Sequence, residues 1–143
     1  MSAADLLLRD ATAMAEAVRA GAASATALVQ ASLERVEATD GRVNAFTAVL
    51  GERALRRAAQ VDASLASTNG ARTRELPLLG VPFAVKNLFD IAGLPTLAGS
   101  KIERQTAPAR ADAALVRRLE RAGAVLVGAL NMDEYAYGFT TEN

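Results

Sequence analysis

The chain has 143 residues, 51% of them hydrophobic, enough for one core of ordinary size, and its sixteen basic residues balance sixteen acidic ones. That balance leaves no net field to attract a nucleic acid or an anionic membrane. With no cysteine and no histidine, a thiol nucleophile, a Ser–His pair and the usual zinc ligand sets are excluded from this stretch, so chemistry here falls to Lys, Ser/Thr, carboxylates or Tyr.

The alanine-rich start predicts helices over about Ser2–Ala20 and Thr26–Thr39, with Ser24 as a cap and Val29, Leu33 and Val36 on one face. Arg9, Asp10, Glu16 and Arg19 interrupt the first of these, which fits neither a signal peptide nor a membrane span and, with the absence of cysteine, points to the cytoplasm. Asp40-Gly41 signals a turn, Asn44–Leu50 a short extended link, and Glu52–Ala66 a helix with Ala54, Ala58, Val61 and Leu65 on one face. Ser67–Glu75 is polar and rich in small residues, and is expected to be a surface loop closing a helical lead-in over residues 1–66.

Leu78–Val85 is too short for a typical helix and contains Gly80 and Pro82, so a strand with an irregular start is expected, ended by Lys86. Gly93, Pro95, Gly99 and Pro108 make residues 92–111 an ordered loop. Asp112 is expected to cap a helix running through Ala122, with Leu115, Val116 and Leu119 inward and Gly123 as the stop before a strand at Ala124–Val127. Strand, crossover helix and strand form a βαβ unit, and ligand sites in such sheets lie beyond the carboxyl ends of the strands. Lys86 and Asn131–Glu134 both fall at such ends.

Only two lysines occur, Lys86 and Lys101, against fourteen arginines. An arginine cannot release its proton at working pH, whereas a lysine desolvated by apolar neighbours can become a base. Lys86 after Val81–Val85 suits that role. From residue chemistry alone, neutralising a carboxylate such as Asp90, or lying exposed at a strand end, is the simpler reading. Lys101 reads as a solvated side chain. Ser100 is more simply a turn residue than half of a Ser–Lys dyad, and Asp133 and Glu134 more simply cap the next turn than hold a metal. Tyr135, Tyr137 and Phe139 are expected to pack in a core.

Gly80-Val81-Pro82-Phe83-Ala84-Val85-Lys86, Gly99-Ser100, Asp112-Ala113, Ala122-Gly123-Ala124 and Asn131-Met132-Asp133-Glu134 follow one another in the order of the amidase-signature family, which Leu79–Asn143 resembles closely. The resemblance implies an α/β fold with a mixed central sheet covered by helices, residues 76–143 being the start of the core of a single amidase domain. It implies a Ser-cisSer-Lys triad with Lys86 as its lysine, the two serines following beyond Asn143, so that residues 1–143 would be inactive alone. No metal or organic cofactor is implied. Gly138 and Thr140 become candidate substrate-lining residues. Within the family, Gly128–Asn143 looks most like the 1-carboxybiuret hydrolase type, which is related to the amidase-like subunits of glutamyl-tRNA amidotransferases. The expected ligand is therefore a small amide, with a small partner subunit or a second copy as the expected partner and no direct contact with nucleic acid or membrane. Asn87, where many members carry aspartate, and Thr96–Ser100, where a Thr-Thr pair is common, depart from the pattern and argue against the transamidase branch. A non-catalytic folding or interaction module is the rival from another class.

Overall fold

The computed structural model describes residues 2–67, 70–138 and 140–141. The alanine-rich start forms two helices rather than the single one expected, α1 (Ala3–Leu6) and α2 (Ala11–Arg19). Ser2 and Asp5 cap α1 reciprocally. The Asp10 carboxylate then accepts the Ala13 N–H at 2.8 Å and starts a second helix. Alanine favours helix everywhere, so a capping side chain decides where one helix stops and the next begins.

Helix α3 (Ala25–Val43) starts at the Ser24 cap, as expected. Its N-terminus is also held by Asp62, whose carboxylate accepts the N–H groups of Ala25 and Thr26 and the Thr26 hydroxyl. The helix runs through Asp40-Gly41, where a turn was expected, and ends at Asn44 in the left-handed region with φ 49°. Asp40 acts from inside the last turn, accepting the N–H groups of Ala45 and Phe46 at 2.7 and 3.1 Å. Strand β1 (Phe46–Val49) follows, then α4 (Gly51–Ala66), which buries Ala54, Ala58 and Val61 on the expected face.

Ser67–Glu75, expected as loop, contains a short helix α5 (Gly70–Arg74). The Arg19 guanidinium donates to the carbonyls of Arg74 and Leu76, a tie across more than fifty residues that local composition does not reveal. Leu78–Val81 forms the irregular lead-in to β2 (Pro82–Lys86), with Gly80 at φ 72° pressed onto Ala25. Helix α6 (Ala114–Arg121) starts from Ala113, not from a capping Asp112, because the Asp112 carboxylate is taken by Arg53 and the Ala92 N–H. Val116 points inward and is fully buried, whereas Leu115 is on the outer side and 45% exposed. Gly123 stops the helix at φ 100°, and β3 (Val125–Leu130) extends three residues past its expected end at Val127.

The three strands lie in the order β1-β3-β2. β2 runs parallel to β3 and β1 antiparallel, so the extended link expected at Asn44–Leu50 is a member of a mixed sheet. β3 feeds two cores, and the register shift against β2 at Val127 changes which core the following residues face. Val125 and Val127 join the α1–α4 helices, while Leu126 and Ala129 join Val116, Ile91 and Val85. A strand buried on both faces reads as a continuous apolar run, as Val125–Leu130 does. Gly128 is required where β1 bulges against β3, since a Cβ there would lie 2.5 Å from the Ala48 carbonyl oxygen. No helix among the described residues is long and apolar enough to cross a membrane.

Candidate active site

The parallel register aligns Pro82 with Val125 and Lys86 with Leu130, so both strands end at the same level. Lys86 therefore stands beside the residue that opens the Asn131–Thr141 segment. Its side chain is exposed, and it takes part in none of the ion pairs among the described residues, which are Arg53–Asp112, Arg53–Glu120 and Arg56–Glu52. Pairing with Asp90 is not seen; the Asp90 carboxylate accepts the Thr96 hydroxyl instead. The desolvated pocket suggested by the apolar run before Lys86 is not formed by these residues, because β2 is an outer strand of the sheet and Lys86 is at its open end.

The neighbouring Asn87 is only 4% exposed and joins three segments. Its N–H donates to the Leu130 carbonyl and its own carbonyl accepts the Ala98 N–H. In the side chain, Oδ1 accepts the Gly99 N–H at 3.0 Å and Nδ2 donates to Thr47 Oγ1 at 3.3 Å. The Thr47 hydroxyl in turn donates to the Ala129 carbonyl. This network fixes the glycine-containing loop over the ends of the sheet. In the sequence Asn87 stands out only as a departure from a pattern. Its partners lie 12 and 40 residues away, so nothing local could reveal the role.

Residues 97–105 and 131–138 are stitched together along the same rim. The Tyr135 N–H donates to the Ala98 carbonyl at 2.7 Å, the buried Ser100 hydroxyl donates to Glu134 Oε1 at 2.6 Å, and the Tyr135 hydroxyl donates to Glu103. Ser100 is thus paired with a carboxylate and not with a lysine, and Lys101 is exposed as expected. Asp133 and Glu134 face different partners: Asp133 Oδ2 accepts the Gly138 N–H at 2.6 Å while Glu134 holds Ser100. Gly99 lies so close to the opposite backbone that a Cβ would meet the carbonyl oxygens of Met132 and Asp133 at 2.6 and 2.8 Å. Ala98, Tyr135 and Ala136 all have positive φ, at 46°, 51° and 59°. Such conformations cost roughly 1–3 kcal/mol each and cluster where a surrounding structure holds a functional geometry.

A cleft of about 760 Å³ opens between these two segments, lined by Gly99, Lys101, Ile102, Asp133, Glu134, Tyr135, Tyr137, Gly138 and Thr140. The two residues singled out as substrate-lining, Gly138 and Thr140, thus share one cleft; Lys86 is not part of its lining. Tyr135 and Tyr137 are 55% and 95% exposed and belong to this rim, not to a core. The core expectation failed because Tyr135 falls inside a short 3₁₀ turn, Glu134–Ala136, and Tyr137 directly after it, so their alternate spacing is not that of a strand. Phe139 lies outside the described residues.

Residues 27–143 match the model of the family described as Amidase. The chain belongs to the amidase family. It is 55% identical over 129 residues to AtzE, a 1-carboxybiuret hydrolase polypeptide of Pseudomonas sp. (strain ADP), covering 90% of this chain and 27% of that relative. Against a glutamyl-tRNA(Gln) amidotransferase polypeptide of Anaeromyxobacter dehalogenans (strain 2CP-C), identity is 52% over 126 residues, covering 88% of this chain and 25% of the relative. Among solved structures, a chain of an inhibitor-bound vestigial protein complex, described as revealing the evolutionary origins of an s-triazine catabolic enzyme, superposes with a TM-score of 0.82 at 55% identity, over 90% of this chain and 27% of that one. The chain thus spans about a quarter of the length of these relatives. The match supports the mixed α/β amidase fold expected from the sequence.

Proposed function

We propose that this polypeptide supplies the lysine of an amide-hydrolysing site, in a cytoplasmic amidohydrolase acting on a small carboxybiuret- or urea-like amide. The observation that carries the reading is family membership, joined to the position of Lys86 at the carboxyl end of β2, level with Leu130. In this reading residues 1–143 form the first part of a single amidase domain, a helical lead-in over 1–66 and the start of the core over 76–143.

Chemically, a lysine at that position serves as the base of a Ser-cisSer-Lys triad. The neutral amine takes the proton of a bridging serine, which takes that of the nucleophilic serine, both contributed by chain beyond Asn143. The nucleophile attacks the amide carbonyl, the C–N bond breaks as the proton passes to the leaving nitrogen, and water then attacks the acyl-serine, giving the acid and restoring the serine. The residues described here leave Lys86 exposed, so in this reading later segments cover it. The cleft lined by Gly138 and Thr140 is the proposed substrate approach. No metal or organic cofactor enters the scheme.

The transamidase reading is favoured by the 52% identity to an amidotransferase polypeptide, and a small partner subunit is compatible with either reading. Assays on a panel of small amides separate them from a non-catalytic module. A chain extended through the two serines expected beyond Asn143 is expected to hydrolyse at least one of them, and Lys86→Ala in it to lower kcat by about 10²- to 10⁴-fold, the usual contribution of a positioned base. Unchanged kcat in Lys86→Ala would remove Lys86 from the mechanism. Glutamine-dependent amide transfer to a tRNA-borne acid, in place of simple hydrolysis, would favour the transamidase.

A further inference from the structure

A second cavity, of about 430 Å³, shares Gly99 and Lys101 with the Gly138/Thr140 cleft but is otherwise lined by different residues. Its polar wall carries Asn44, Asn87, Ser100, Lys101, Arg104 and Asn131, and its apolar wall Phe46 and Leu97. It adjoins an apolar recess of about 210 Å³ formed mainly by Phe89, Ile91, Leu94, Pro95 and Ala129. Thr47, Asn87, Leu97 and Arg104 line both spaces, so the two are halves of one amphipathic cavity.

The charge in this cavity is one-sided. Lys101 and Arg104 line it and no carboxylate does. Neither cation belongs to an ion pair among the described residues. Lys101 is the residue that starts the 3₁₀ helix Ile102–Gln105, and Arg104 lies three positions on, with its N–H donating to the Lys101 carbonyl. In a 3₁₀ helix the side chains at i and i+3 eclipse, which brings both cations to the same side of the turn. The nearest carboxylates on these elements are already engaged, Glu103 by the Tyr135 hydroxyl and Glu134 by Ser100. The recess is large enough for a single ring, since a dry cavity of roughly 150 Å³ accepts benzene.

We propose that this cavity binds a small amphipathic carboxylate, an aryl or short alkyl acid, its carboxylate held by Lys101 and Arg104 and its apolar part in the recess. A guanidinium matches a planar carboxylate through paired N–H donors, which selects this class over a compact inorganic anion that would leave the recess empty. Lys86 does not line the site, which shares Gly99 and Lys101 with the cleft proposed as the substrate approach.

Calorimetric titration with benzoate, benzamide and acetate tests it. Benzoate is expected to bind saturably, with benzamide and acetate each weaker by about tenfold or more, because one lacks the charge and the other the apolar part. The exposed pair Lys101→Gln/Arg104→Gln, checked for an unchanged circular dichroism spectrum, is expected to weaken benzoate by a similar factor and to leave benzamide unaffected. In an amide NMR titration the benzoate-induced shifts are expected at Thr47, Leu97 and Gly99. Equal binding of benzoate and benzamide, undiminished binding in the double variant, shifts confined to Gly138 and Thr140, or no saturable heat would each overturn the proposal.

Discussion

Asn87 uses both ends of its carboxamide, accepting from the Gly99 N–H and donating to Thr47 Oγ1, while its backbone bonds to Leu130 and Ala98. Asn87→Ala deletes a carboxamide that is itself buried, and with it the bonds to the half-buried Gly99 N–H and to the hydroxyl of Thr47, an exposed residue. The expected loss is about 1–3 kcal/mol of stability, read as a lower denaturant midpoint. The hydroxyl of Thr47 can donate only once, and donates to Ala129. An aspartate at position 87 would need that same proton, so Asn is suited to its present neighbours. Gly99 is constrained twice over, by φ 72° and by the carbonyls of Met132 and Asp133. Gly99→Ala is therefore expected to cost roughly 1–3 kcal/mol and to loosen the loop. Raised amide hydrogen exchange at Ser100 and Tyr135 would report it, and unchanged exchange would show that the loop tolerates a side chain. The amidase-family motif around Lys86 and Gly99-Ser100 was legible in the sequence; the contacts that give Asn87 and Gly99 their roles were not, since their partners are distant in the chain.

At the scale of elements, α4 and α6 are clamped by one guanidinium. Arg53 donates to both Asp112 oxygens at 2.9 and 2.7 Å and to Glu120 at 3.1 Å. Asp112 also accepts the Ala92 N–H, so the clamp closes both ends of the 92–111 loop. The Arg53 hydrogen bonds, helped by the Ala92 N–H, hold the Asp112 carboxyl below its ordinary value of about 3.9. A carboxyl with a lowered folded-state pKa stabilises fully above its unfolded-state value, and that contribution disappears as pH falls through the folded-state value. Thermal stability is thus expected to drop below about pH 4, and Asp112→Asn to lower the midpoint at pH 7 while flattening this acid limb. An unchanged acid limb would assign it to other carboxylates. The periodicity of α4 and the stop at Gly123 could be read directly, because each is a local pattern. The α1/α2 break and the extension of α3 rest on the local Asp10 and Asp40 bonds, which compete with alanine propensity and with the Asp-Gly turn signal, whereas the Arg19 tie to the end of α5 spans 55 residues and exists only in the folded arrangement.

Across the whole molecule, the sheet ends on β2, whose far side pairs with no strand among the described residues, and Lys86 is exposed at its tip. An unpaired strand is a template for another chain. Residues 1–143 are expected to associate as concentration rises, with sedimentation showing growing species, and a chain extended downstream to associate less. A monomer at every concentration, melting cooperatively, would show that this edge is protected.

By itself the sequence determined the family, the α/β class and the strand–helix–strand order around Lys86, since apolar periodicity, capping residues and spaced motifs are properties of short stretches. Only the tertiary structure decided that Phe46–Val49 joins the sheet, that Asp112 serves Arg53 instead of α6, and that Ser100, Lys101, Arg104 and Asn87 border a common cavity. Those outcomes depend on which polar groups remain unsatisfied once distant segments pack together, and that competition is settled in three dimensions.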